Sequence, residues 1–164
     1  MTATPSLAIS IPCYLRPKLL GELLQSIAIS PLAPRVHVYL FDDSPSQANQ
    51  YLASEFFESF CSLVYTHNEI NLGIDANISK ALYSPTQDYV WLMGEDDIIT
   101  ADALDRVYNC INANQCIDLA YISYMHFSGK RTKYIPLDFD LARQSKQSYV
   151  DNLLINFGFI GSVL

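Results

Sequence analysis

Apolar and polar positions along the chain follow two rhythms. Leu7 to Ile11 is an apolar-rich run stopped by Pro12, the pattern of a buried strand. From Pro17 the rhythm changes. Leu19, Leu20, Leu23, Leu24 and Ile27 recur at helical spacing, which predicts an amphipathic helix with Pro17 in its first turn. The segment SPLAPR breaks that helix, and Val36 to Phe41 is a second β-rich run. A weaker helix is expected over about 46–60, then a strand at Ser62–Thr66. Residues 71–83 predict a helix with Ile74, Ile78, Ala81 and Leu82 on one side, and DYVWLM (88–93) predicts a fourth strand. Thr100 is expected to cap the next helix, with Asp102 in its first turn and Leu104, Val107 and Ile111 facing inward. A fifth strand over 118–125 and a helix over 147–158 complete the alternation. The polar stretch 128–146 reads as a loop or excursion over the surface.

Strands that are mostly apolar and alternate with helices predict an α/β fold: a mostly parallel sheet with helices on both faces. The 164 residues suit a single domain, 1–164, with 50% hydrophobic and 12% aromatic content excluding disorder. No apolar run approaches the roughly 20 residues of a membrane span, and the N-terminus lacks the basic-then-apolar order of a signal peptide. Cys13, Cys61, Cys110 and Cys116 are scattered without a CxxC pair, which points to reduced thiols and a cytoplasmic location.

Net charge changes the picture. At −7, with a pI near 4.7, the chain should repel a nucleic-acid backbone. An anionic small molecule would need local help from a metal, an arginine or a helix N-terminus. In an open α/β sheet ligands bind beyond the carboxyl ends of the strands. Pro12 to Arg16 follow the first strand there, Asp42-Asp43-Ser44 the second, His67-Asn68-Glu69 the third and Glu95-Asp96-Asp97 the fourth. Three adjacent carboxylates repel one another, and burial raises the cost of ionising them. If the chain stays extended, Glu95 and Asp97 share one side and can hold Mg²⁺ or Mn²⁺, leaving Asp96 for sugar hydroxyls. The competing reading is that these carboxylates only precede a helix, and that Asp43-Ser44-Pro45 is only a turn.

Four segments in this order and spacing, LAISIPCYLRPKLLGELLQSI, VYLFDDS, NLGIDANISKAL and DYVWLMGEDDIITADAL, resemble the motifs of family 2 glycosyltransferases. The Asn-x-Gly and Asp-Asp elements are similar, more narrowly, to bacterial enzymes of surface-polysaccharide synthesis, including the abequosyltransferase-like branch. The resemblance implies a GT-A, Rossmann-like fold. It also implies transfer of a sugar, with inversion, from a nucleotide-diphosphate sugar to a hydroxyl of a saccharide or lipid-linked saccharide acceptor. Mg²⁺ or Mn²⁺ would assist, in the cytoplasm or at the inner face of the membrane.

By the same resemblance Pro12, Tyr14 and Arg16 lie against the nucleotide, and Asp42 or Asp43 holds the base or ribose. Asn71, Gly73 and Asn77 cross near the nucleotide, Asp96 lies nearer the sugar, and Asp97 ligates the metal with Glu95 as substitute partner. Two positions depart from the pattern: Leu15 stands where Asn is usual, and Gly94 where the first Asp of the acidic element is usual. The family's catalytic base is expected beyond residue 164, the chain reading as the nucleotide-sugar half of a longer domain without its acceptor half. No catalytic residue is assigned, Asp138 and Asp140 included.

A sugar-phosphate nucleotidyltransferase would need a glycine-rich loop after the first strand, which PCYLRPK lacks. A phosphoacceptor domain would need an Asp where the fourth strand ends in Leu92-Met93-Gly94. A non-catalytic nucleotide-sugar-binding domain and a sugar-phosphate nucleotidyltransferase remain as the alternatives. His37, His67 and His126 read as structural, Trp91 as core, and Tyr121 and Tyr124 as strand residues.

Overall fold

Leu7, Ile9, Ile11 and Cys13 are buried on one face of a single strand, β1 (Leu7–Cys13), at the centre of the sheet. The computed structural model describes residues 5–113, 122, 125–128 and 131–134. After β1 come α1 (Pro17–Ala28), β2 (Val36–Asp42), α2 (Ala48–Ser54), β3 (Ser62–His67), α3 (Ile74–Tyr83), β4 (Tyr89–Leu92) and α4 (Ala103–Ala113). Strands β1 to β4 form a parallel sheet of order β3-β2-β1-β4. The chain therefore winds outward from β1 to β3, then returns to lay β4 on the other side of β1.

The pleat decides what each face buries. On one side Leu7, Ile9 and Ile11 align with Val36, Val38 and Leu40, and Trp91 lies beside Ile9. The apolar stripe of α1 (Leu20, Leu23, Leu24, Ile27) and that of α4 (Leu104, Val107, Ile111) close over them in one core. On the other side Phe41 and Leu92 pack with Ala81 and Ile78 of α3, and Ser10 Oγ donates to the Ala81 carbonyl at 2.7 Å. Both faces are covered, as the alternation predicts.

Pro12 does not end β1, which runs on to Cys13. The Ser10 carbonyl accepts from Met93 and the Cys13 carbonyl from Asp43, so Pro12 faces the β4 side two residues past the last β4 pairing. No ladder partner there needs the missing N–H.

Other boundaries move too. The helix expected over 46–60 stops at Ser54, and i+3 bonds from Phe56 and Ser59 tighten the chain into turns with Phe56 stacked on Phe60. Thr100 is not a side-chain cap for α4: its hydroxyl donates to Asp102, which precedes the helix and pairs with Arg106 at 2.7 Å. Stretch 128–146 is not wholly loop, because β6 (Arg131–Tyr134) pairs antiparallel with β5 (Met125–Ser128). Of the strand read over 118–125 only Ile122 and Met125 are described, and the helix read over 147–158 lies outside the described residues. Trp91 is core, His37 bonds Ser62, and His67 Nε2 meets the Ser44 carbonyl at 2.7 Å.

Candidate functional site

The reversal of strand order between β1 and β4 opens a crevice at their carboxyl ends, the position where doubly wound sheets bind ligands. A cleft of about 380 Å³ lies there. Its walls include Pro12, Tyr14 and Arg16 after β1, Asp43 after β2, Asn71, Gly73 and Asn77 at the start of α3, and Glu95 and Asp96 after β4. Nine of the eleven residues singled out from the sequence are thus brought together. Asp42 and Asp97 do not line it.

Asp42 and Asp43 part because consecutive strand residues point to opposite faces. Asp42 is fully buried on the α1 side; its Oδ1 accepts from Ser44 N at 2.9 Å and its Oδ2 from the Tyr65 hydroxyl at 2.7 Å. Burial first, then the Asp42 carboxylate, raises the Tyr65 phenol well above its ordinary range. Asp43 turns toward α3, where its Oδ2 accepts the N–H groups of Leu72 and Gly73, each at 3.1 Å, and its Oδ1 accepts from Asn68. Gly73 also donates to Asn71 Oδ1 at 2.8 Å and has φ +81°, a conformation that leaves little choice but glycine.

The opposite wall corrects the metal reading. The chain does not stay extended through Glu95-Asp96-Asp97; it turns, with Asp97 N bonded to the Gly94 carbonyl at 3.1 Å. Glu95 and Asp97 therefore do not share a side. Glu95, 7% exposed, accepts from Tyr14 N at 2.9 Å and faces Arg16 at 3.8 Å. Burial pushes its carboxyl up to about 7, against the opposing pull of the Tyr14 N–H and Arg16. Asp97 folds back so that its Oδ2 accepts from Gly94 N at 3.0 Å, and burial raises its carboxyl above the ordinary range.

Gly94 lies where Asp96 and Asp97 converge. A Cβ there would stand 2.9 Å from Asp96 Oδ1 and 3.3 Å from Asp97 Oδ2. The Asp96 and Asp97 carboxylates thus both approach Gly94, while Glu95 is held by Tyr14 N and Arg16. Among the described residues no three His, Cys, Asp or Glu side chains form a metal cluster, so other ligands would have to complete a shell. Two carboxylates completed by phosphate oxygens and water suit Mg²⁺ or Mn²⁺.

The walls also include Ile74 and Ile78, which sequence reasoning gave only to a helix face, and Cys13 and Gly94, which it placed at this edge without a role. Cys13 is no nucleophile candidate, because burial, then Glu95 and Asp42, hold its thiol well above its ordinary value. The loop between them has Leu15 at φ 59°, its N–H on Ser44 Oγ at 2.8 Å. Asn tolerates that left-handed conformation far better than Leu, which gives the departure at residue 15 a physical meaning.

The model of the family described as "Glycosyl transferase family 2" matches residues 8–161. The chain belongs to that family. Among curated relatives it is 26% identical over 134 residues to abequosyltransferase RfbV of Salmonella typhimurium, covering 74% of this chain and 40% of that one. It is 23% identical over 124 residues to the uncharacterized glycosyltransferase MJ1057 of Methanocaldococcus jannaschii, covering 75% and 42%. This family 2 chain thus spans about two fifths of the length of these relatives.

Its fold is that of S. aureus TarS 1–349 in complex with UDP, with TM-score 0.68 and 22% identity over 80% of this chain and 38% of that one. Mannosyltransferase PcManGT of Pyrobaculum calidifontis, in complex with GDP-Man and Mn²⁺, superposes with TM-score 0.62 at 17% identity, covering 74% and 36%. Family membership and the GT-A-like arrangement of the parallel sheet agree. No helix among the described residues is long and apolar enough to cross a membrane.

Proposed function

We propose that this chain binds a nucleotide-diphosphate sugar in the β1/β4 cleft and serves transfer of the sugar, with inversion, to an acceptor hydroxyl in bacterial surface-polysaccharide synthesis. One observation carries the reading: on a family 2 chain, the Asp43-anchored 71–73 loop faces the Arg16–Glu95–Asp96 corner across a single cleft. The nucleotides named for TarS and PcManGT support the donor class, and the Mn²⁺ of the latter supports a divalent ion.

Each wall has a role. Arg16 offers a planar fork of donors to diphosphate oxygens once it leaves Asp96. Ile74 and Ile78 provide apolar surface for a base or sugar ring, and the 71–73 backbone fixes the nucleoside end. Asp96 and Asp97 are the residues that would hold Mg²⁺ or Mn²⁺. Bound there, the ion would neutralise charge on the diphosphate leaving group. In the transfer the acceptor oxygen bonds to the anomeric carbon as the bond to the diphosphate breaks, and a carboxylate base takes the hydroxyl proton. No described residue is assigned as that base.

The acceptor is a saccharide or lipid-linked saccharide, and the cytoplasmic face is the setting where such donors are held. Calorimetry with UDP- and GDP-sugars, in Mn²⁺ and in EDTA, tests the reading. Binding that strengthens in Mn²⁺ is expected. Absence of binding to either nucleotide class would defeat it, and equal affinity in EDTA would defeat the metal.

A further inference from the structure

Beneath the cleft, polar side chains form a relay with a fixed direction. Lys80, half-buried on α3, donates from Nζ to Asn68 Oδ1. An ammonium only donates, so the amide atom facing it must be the oxygen. Asn68 Nδ2 is thereby turned to Asp43 Oδ1 and, at 3.1 Å, to Asn77 Oδ1. Asn77 Nδ2 donates in turn to the Phe41 carbonyl at 2.9 Å. Asn68, Asn77 and Asp43 are all nearly inaccessible, so water offers them few alternatives.

Lys80 is an unexpected member. In a chain of net charge −7, a lysine this near a proposed diphosphate site would be expected to meet phosphate. Yet neither Lys80 nor Asn68 lines the cleft. Among the described residues Lys80 forms no ion pair; its ammonium bonds the Asn68 amide and lies 5.9 Å over the Phe41 ring. Its charge faces Asp43 across one amide group, and the other oxygen of Asp43 holds Leu72 N and Gly73 N.

We propose that Lys80 is a positioning residue for donor binding: through Asn68 it orients Asp43, and Asp43 sets the 71–73 backbone that forms one wall of the cleft. The proposal rests on the nucleotide-sugar reading for its ligand, though not for its structural half. Removing the ammonium leaves Asn68 Oδ1 without that donor, so the amide that bonds Asp43 is held at one end only. The loop then loosens while the sheet beneath stays intact, because none of these groups belongs to the apolar cores.

The test compares Lys80→Met, which keeps the stem, and Lys80→Arg, which keeps a donor, with wild type. Affinity for UDP and GDP is measured calorimetrically in Mn²⁺. Amide exchange of Leu72 and Gly73 is measured against Ile9 and Ile11 of β1 as internal controls. In K80M both loop amides should exchange about tenfold faster with β1 unchanged, nucleotide affinity should fall about five- to twentyfold, and K80R should stay within about twofold. Unchanged exchange in K80M overturns the proposal, and unchanged exchange with lost affinity would make Lys80 a direct phosphate contact. If wild type binds neither nucleotide, the functional reading fails by itself, and the exchange comparison still decides whether Lys80 positions the loop.

Discussion

The Arg16 guanidinium stands 3.0 Å from the Asp96 carboxylate, with both side chains 55% exposed. A pair so open to water is worth at most about 1 kcal/mol to the fold. Asp96→Asn should therefore leave urea stability within about 1 kcal/mol of wild type. Calorimetry should nevertheless show the Mn²⁺-dependent part of nucleotide binding lost. An Asp96→Asn protein with undiminished Mn²⁺ response would remove Asp96 from the metal site.

Asp42 and Asp43 should separate cleanly by phenotype. Asp43→Asn replaces an acceptor of two loop N–H groups and should lower nucleotide affinity at least about tenfold, with a stability loss of about 1–3 kcal/mol. Asp42→Asn, whose side chain does not line the cleft, should act chiefly on stability. Equal losses of affinity from both would mean that Asp42 reaches the ligand by a route its full burial does not suggest.

Gly94→Ala tests the close approach of the carboxylates. The atom a Cβ would crowd, Asp96 Oδ1, ends a flexible exposed side chain, so stability should change by less than about 1 kcal/mol. The carboxylate must turn away, however, and Mn²⁺ titration should show weaker binding.

Leu15 carries left-handed strain, φ 59°, with its side chain half exposed. Leu15→Asn should stabilise the protein by about 1 kcal/mol, read as a higher melting temperature. A lower one would mean that the leucine makes contacts that outweigh its backbone.

Glu95 makes stability depend on pH. Its folded carboxyl is raised to about 7 from the ordinary 4.5, chiefly by burial. The folded state binds the proton more tightly than the unfolded one, so the stability Glu95 contributes is greatest below about 4.5 and is lost as pH rises through about 7. Glu95→Gln, measured by urea denaturation in EDTA, should flatten that decline.

The alternation of apolar runs and helical stripes determined the four parallel strands, the helices between them and the covering of both faces. These depend on periodicity, which a sequence displays directly: of the predicted stripe, Leu20, Leu23, Leu24 and Ile27 stand in the core and Leu19 is half-buried. Clustering of polar loops at one sheet edge was equally legible, since strand ends in a parallel sheet share a side. Only the tertiary structure decided how individual side chains aim. The sequence left Asp42 and Asp43 as a pair, which the structure separates at the end of β2, and period-two reasoning fails at Glu95 to Asp97 because the chain turns at Gly94. Nor could spacing reveal that Lys80 points through Asn68 to a carboxylate 37 positions earlier in the numbering. Hydrogen-bond direction depends on atoms from β2, the loop after β3 and α3 meeting in space, and no local pattern in the chain encodes that meeting.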